Sequence, residues 1–169
     1  LLGGDLLSLA PVPSHAVTAV LFTCAGQRVD IVSAFRRAGA MTVAADADSL
    51  APALYHADRK ALVPRVADPG YVPALAALVA EHEIGLVVPL TDLDQEILSR
   101  HREALAPALV LAPNPEVCRT MGDKYLAHLF FEEHGIASPR TWLPAEVPGD
   151  ARYPLLVKVR EGFGSRHIY

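Results

Sequence analysis

Short apolar runs alternate with helical patterns along most of this chain, and that alternation constrains the fold more than any other feature. Ala19–Thr23 is an apolar run of strand length, and Cys24-Ala25-Gly26-Gln27 makes a turn after it. A helix follows to about Ala38, with Ile31, Phe35 and Ala38 at helical spacing and Gly39 as its stop. Met41–Ala45 is the next strand and ends at Asp46, and Lys60–Pro64 reads as a short third. After the turn Asp68-Pro69-Gly70, a helix to about Glu83 places Leu75, Leu78, Val79 and His82 on one face. Ile84–Pro89 is a fourth strand, opening into Leu90-Thr91-Asp92 and a helical stretch with Leu93, Ile97 and Leu105 inward. Leu109–Leu111 is a fifth strand. Strands alternating with helices imply an α/β fold, with a parallel sheet flanked by helices. Ligands of such sheets sit beyond the carboxyl ends of the strands. Here that edge carries Cys24–Arg28, Asp46 and Leu90–Asp92, which makes Gln27, Thr91 and Asp92 candidate substrate contacts. Helix capping explains Thr91 or Asp92 equally well.

Beyond the fifth strand the pattern changes. Asn114-Pro115-Glu116 is a helix start, with a capping side chain, a proline in the first turn and an acid at the positive end. Gly122 ends that helix, and Asp123 caps another that stops at Gly135. Residues 138–153 are proline-rich and read as a linker. The chain then enters an apolar strand, Leu155–Lys158.

Composition excludes several classes. About half of the 169 residues are apolar, a fifth are charged, and the net charge is −4, so neither nucleic acid nor an anionic membrane is indicated as a partner. Cys24 and Cys118 are far apart and show no zinc spacing, and a reducing cytoplasm is the simplest setting. The longest mostly apolar run, around Ala16–Gly26, is too short to cross a bilayer. Residues 1–16 lack the basic start of a signal peptide and read as an extension loosely tied to the fold.

Any anion site must therefore come from local clustering, and "LVKVREGFGSRHIY" at 156–169 is the clearest cluster. It is not a P-loop, because the second glycine is followed by Ser165-Arg166 rather than Lys-Ser or Lys-Thr. It half-matches a kinase glycine loop, but His167 stands where the third glycine belongs and the lysine precedes the loop. The first turn is not a dinucleotide fingerprint, since G-x-G-x-x-G is absent; Asp46, twenty residues after Gly26, reads as a solvated strand end. A strand lysine running into a glycine-rich hairpin tip suits another arrangement. The ammonium meets a phosphate, and backbone N–H groups at the tip cover its neighbours.

In this respect the sequence resembles the ATP-grasp superfamily, more narrowly its carbamoyl-phosphate-synthase-like ligases. Three stretches carry the resemblance: "MGDKYLAHLFFEEHGIASPRTW", "YPLLVKVREGFGSRHIY", and "VLFTCAGQRVDIVSAFRRAG" taken with "IGLVVPLTDLD". It covers about residues 17–169. It implies a Rossmann-like pre-ATP-grasp domain over 17–112 and the incomplete start of an ATP-grasp domain over 113–169. Lys124 would be the first ATP lysine and Lys158 the second, near the adenine and α-phosphate. Gly162, Gly164 and Ser165 would form the lid, with Arg160 and Arg166 as accessory phosphate contacts. Val159 and His167 depart from the proline and glycine common in relatives.

The implied chemistry is activation of a small-molecule carboxylate by Mg-ATP as an acyl phosphate, then attack by an amine or other nucleophile. The magnesium ligands are expected outside these residues, so the chain alone is expected to be inactive, and a homodimer is compatible with the family. A non-catalytic nucleotide-binding or regulatory module is the alternative. Against these roles, Lys124 also reads as a solvated lysine beside its capping Asp123, and the glycines as hairpin-turn glycines. Cys24 reads as a small buried residue, and His56, His82, His101 and His128 as surface or helix-face residues.

Overall fold

The computed structural model describes residues 18–162 and residue 169; the expected extension at 1–16, and Gly164, Ser165, Arg166 and His167, lie outside the described residues. Five strands form one sheet: β1 (Ala19–Thr23), β2 (Met41–Asp46), β3 (Arg59–Leu62), β4 (Ile84–Pro89) and β5 (Leu109–Val110). Their order is β3-β2-β1-β4-β5, and every pairing is parallel. Among the described residues five α-helices accompany them: α1 (Val29–Arg37), α2 (Tyr71–Glu81), α3 (Asp92–Arg100), α4 (Pro115–Gly122) and α5 (Lys124–Glu133).

The central strand explains the architecture. All five residues of β1 are buried, as a strand covered on both faces requires. Alternate residues serve opposite faces: Val20 and Phe22 join Val32, Ala44 and Leu54, while Ala19 and Leu21 join Tyr71, Leu75, Val79, Val87 and Leu98. The Phe22 ring meets that of Phe35 edge-on at 5.2 Å between centroids. Gly39, at φ +91°, ends α1 where a left-handed residue was expected.

Several expectations need refinement. β3 is Arg59–Leu62 rather than Lys60–Pro64; as an edge strand with Arg59, Lys60 and Leu62 exposed, it carries little apolar pattern to mark its limits. Leu93 is not inward but 47% exposed; Asp94, Leu98 and Ser99 face the sheet, and Leu105 sits in a separate short 3-10 turn, Arg102–Leu105. Of the two places expected for His128, surface or helix face, it takes the second: it lies buried on α5, its ring 3.3 Å from the Ser138 hydroxyl. Asp46 is not a solvated strand end: its carboxylate accepts from Gly26 N–H at 2.8 Å and from Asp48 N–H at 2.8 Å, fastening the turn after β1.

Beyond β5 the chain is less buried. Asn114 caps α4 through Val117 N–H, as its position predicted. From residue 113 onward only Cys118, Asp123 and His128 are buried among the described residues. Residues 155–157 are not a full strand. Lys158 forms a single bridge, and Val157 and Tyr169 exchange two backbone hydrogen bonds of 2.9 Å, the mark of an antiparallel pair.

Candidate functional site

The strand order reverses direction between β1 and β4, because β2 and β3 lie on one side and β5 on the other. In a parallel sheet this switch opens a crevice at the carboxyl ends. A cleft of ≈ 300 Å³ is found there, walled by the β1–α1 turn from Cys24 to Arg28 and by Leu90, Thr91 and Asp92. Three predicted contacts, Gln27, Thr91 and Asp92, are thus brought together. The turn bends sharply: Cys24 has φ +48° and Gly26 φ +46°. A second hollow of ≈ 320 Å³ lies against the outer face of α3, beside Leu93 and Ile97. Its charged residues, Glu96 and Arg100, pair with each other at 2.5 Å, so the cleft at the strand ends is the better-built candidate.

Behind that cleft stands a residue the sequence reading missed. Asp94 is fully buried. Its carboxylate accepts from the Thr23 hydroxyl at 2.5 Å, the Thr91 hydroxyl at 2.9 Å, Thr91 N–H at 3.2 Å and the Tyr71 hydroxyl at 3.3 Å. Thr91 caps α3, and the carboxylate three residues on reaches back to it as in a capping box. The T-x-x-D spacing of Thr91 and Asp94 was the signal available in the sequence. Burial raises the Asp94 pKa, and hydrogen bonds from the Thr23 and Thr91 hydroxyls, the Thr91 amide and the Cys24 thiol oppose that rise. The Cys24 sulfur lies 3.6 Å from the Tyr71 hydroxyl. Burial first, and the Asp94 charge second, push the Cys24 thiol up to about 12. The thiol is therefore a poor nucleophile at neutral pH.

A second cluster forms where α5 begins. Asp123 caps the helix, accepting from Tyr125 N–H at 2.8 Å and Leu126 N–H at 3.2 Å. The same carboxylate receives the Arg160 guanidinium, with Nε at 3.0 Å and Nη2 at 2.5 Å from Oδ2. Hydrogen bonding from Arg160 leads the causes that hold the Asp123 pKa below its usual value. Lys124 Nζ donates to the carbonyls of Arg160 at 3.1 Å and Gly162 at 3.0 Å, and Lys124 N–H donates to Arg160 O at 3.1 Å. Lys124, Arg160 and Gly162 are thus brought together. Lys158 is exposed on the same segment.

Residues 20–110, more than half of the sequence, match the family model described as PylC-like, N-terminal domain. The chain belongs to that family. The PylC-like match covers β1 to β5 and both walls of the cleft. No curated protein matches the sequence. Solved structures with this fold include the L-amino acid ligase from Bacillus licheniformis, 16% identical with a TM-score of 0.65 over 86% of this chain and 38% of that one. N5-carboxyaminoimidazole ribonucleotide synthetase from Thermotoga maritima is 18% identical, with a TM-score of 0.64 over 90% of this chain and 40% of that one. The biotin carboxylase domain of Hydrogenobacter thermophilus 2-oxoglutarate carboxylase, solved with MgADP, ADP and bicarbonate, is 21% identical, with a TM-score of 0.62 over 92% and 38%. The chain spans well under half the length of each of them. The expected α/β parallel sheet with flanking helices is present, and the PylC-like region has the fold of a pre-ATP-grasp domain. No described helix is long and apolar enough to cross a membrane.

Proposed function

We propose that this chain is the amino-terminal part of an ATP-dependent ligase of the carboxylate–amine, carbamoyl-phosphate-synthase-like kind. On this reading residues 17–112 are the pre-ATP-grasp domain and residues 113–169 begin the ATP-grasp domain. The observation that carries it is the meeting of two segments distant in sequence. The Lys124 ammonium sits at the start of α5 against the carbonyls of Arg160 and Gly162, at 3.1 and 3.0 Å. A helix start, a lysine and a glycine-bearing turn together suit anionic oxygens. Gly162 has φ +153°, and a Cβ there would meet Val159 Cγ2 at 2.9 Å, so the turn that presents its carbonyl to Lys124 favours glycine.

In this proposal Lys124 and Lys158 hold the nucleotide phosphates, and the family resemblance assigns the lid to Gly162, Gly164 and Ser165, with Arg166 as an accessory phosphate contact. ATP supplies the phosphoryl group that activates the carboxylate. The cleft at Gln27, Thr91 and Asp92 receives the small substrate, with the backbone turn at Cys24–Gly26 as its floor. Among the described residues no group of three or more His, Cys, Asp or Glu could hold a metal ion, and no metal step is assigned to them. Magnesium is assigned to arrive with the nucleotide, in a cytoplasmic setting.

Calorimetric titration of Mg-ATP into the protein and its Lys158→Ala variant tests the assignment. Affinity should fall about tenfold or more, the scale of a lost charge-assisted phosphate contact. Equal affinities would remove Lys158 from the site. Mg-ATP binding without ADP release by the full-length protein, across carboxylate and amine pairs, would favour the non-catalytic nucleotide-binding module instead.

A further inference from the structure

We infer that Arg160 is a positioning residue rather than a phosphate contact: with Asp123 it forms a latch that fastens the segment 160–162 to the start of α5 and so sets Lys124. The inference rests on the nucleotide-binding reading above. It departs from the family-implied role of Arg160 because the guanidinium is already engaged.

Three observations meet here. The Arg160 side chain forks onto Asp123, whose side chain is only 7% exposed and is itself fixed by capping α5. The guanidinium also lies 5.5 Å from the centroid of the Tyr125 ring, over its face. The Arg160 carbonyl takes both donors of Lys124, the amide and the ammonium, each at 3.1 Å. One residue therefore holds Asp123 with its side chain and Lys124 with its backbone. Moving Arg160 would release both neighbours together. A planar fork on a carboxylate is a role lysine does not reproduce, whereas a simple phosphate contact tolerates lysine far better. Asp123→Asn is equally informative, because asparagine still caps the helix while removing the charge Arg160 holds.

The two roles predict opposite results for Mg-ATP affinity, measured by calorimetry on the full chain. If Arg160 positions Lys124, Arg160→Lys and Asp123→Asn each weaken binding by about tenfold, and the double variant is no weaker than the worse single. If Arg160 instead contacts phosphate, Arg160→Lys binds nearly as well as the parent and Asp123→Asn binds more tightly, which overturns the inference. A ligand-free readout separates this outcome from failure of the nucleotide reading. The Lys124 amide, at the first helical position, has no partner within its own helix and depends on the Arg160 carbonyl. Its hydrogen exchange, followed by NMR, should accelerate about tenfold or more in both single variants. Unchanged exchange overturns the latch whatever the nucleotide does. Accelerated exchange in a protein that gives no heat with Mg-ATP confines the failure to the nucleotide reading.

Discussion

Replacing Asp94 by alanine should be among the most damaging single changes in the domain. The carboxylate is the common acceptor for Thr23, Tyr71 and Thr91, and Thr23 and Tyr71 are at most 1% exposed. Leaving a buried hydroxyl without an acceptor costs about 1–3 kcal/mol. Losing the reach-back to Thr91 at the start of α3 adds about 0.3–1.5 kcal/mol. Relief from burying a carboxylate offsets part of this. A net loss of about 3 kcal/mol is expected, a large share of an ordinary domain's stability. In urea denaturation followed by far-UV circular dichroism, the midpoint should fall by about 1–2 M. Asp94→Asn keeps the volume and one acceptor oxygen, and should lose less. It also isolates the titration. Because burial raises the Asp94 pKa above its ordinary value, the folded protein holds that proton more tightly than the unfolded chain does. The stability this provides is complete below about pH 4 and is lost as pH rises through the folded value. Relative to Asp94→Asn, the parent should therefore weaken as pH is raised. An Asp94→Ala variant within about 0.5 kcal/mol of the parent, the range of ordinary surface changes, would refute the argument. So would a pH trend of the opposite sign.

Asp58 should behave in the reverse sense. It accepts from Thr42 N–H at 3.0 Å and the Thr42 hydroxyl at 2.8 Å and pairs with Arg36 at 2.8 Å, and the Thr42 amide leads in lowering its pKa. Its contribution is present above about pH 4 and lost on acidification through the folded value, so Asp58→Asn should be less stable than the parent at pH 7 and converge with it in acid. For Cys24, with its thiol pushed up to about 12, the thiolate fraction at pH 8 is about a thousandfold below that of a free cysteine. In a Cys118→Ser background, native alkylation by iodoacetamide should be slower than in denaturant by a comparable factor; equal rates would refute the raised thiol pKa of the half-buried Cys24.

How far the sequence foretold the structure depends on which interactions fix each element. β1, β2 and β4 were legible because buried strands carry uninterrupted apolar runs, and Asn114 and Asp123 because a cap is a local device. The inner face of α3 is hidden in the sequence because its leading position is a carboxylate. Asp94 and Leu98, one turn apart, make the buried stripe, and the apolar Leu93 drew attention to the wrong side. At the candidate site, the sequence pointed to the loop residues of the cleft, since the sheet's topology places them. It did not reveal the Thr23–Asp94 bond or the Asp123–Arg160 pair, whose partners lie far apart along the chain and are joined only by the fold. Asp46 shows the same limit: a strand-end acid looks solvated until the turn it fastens is in view.

The central place of β1 also has a consequence for how the domain is made. Ala19 pairs with Met41 on one side and with Ile84 on the other. The first partner leaves the ribosome soon after β1 and the second much later, so this wholly buried strand waits with one edge open while α2 is still being synthesised. An open edge of Ala-Val-Leu-Phe-Thr is a template for pairing between nascent chains. Pieces of the domain that stop before β4 should therefore aggregate, and prompt delivery of β4 protects the sheet as much as it completes it.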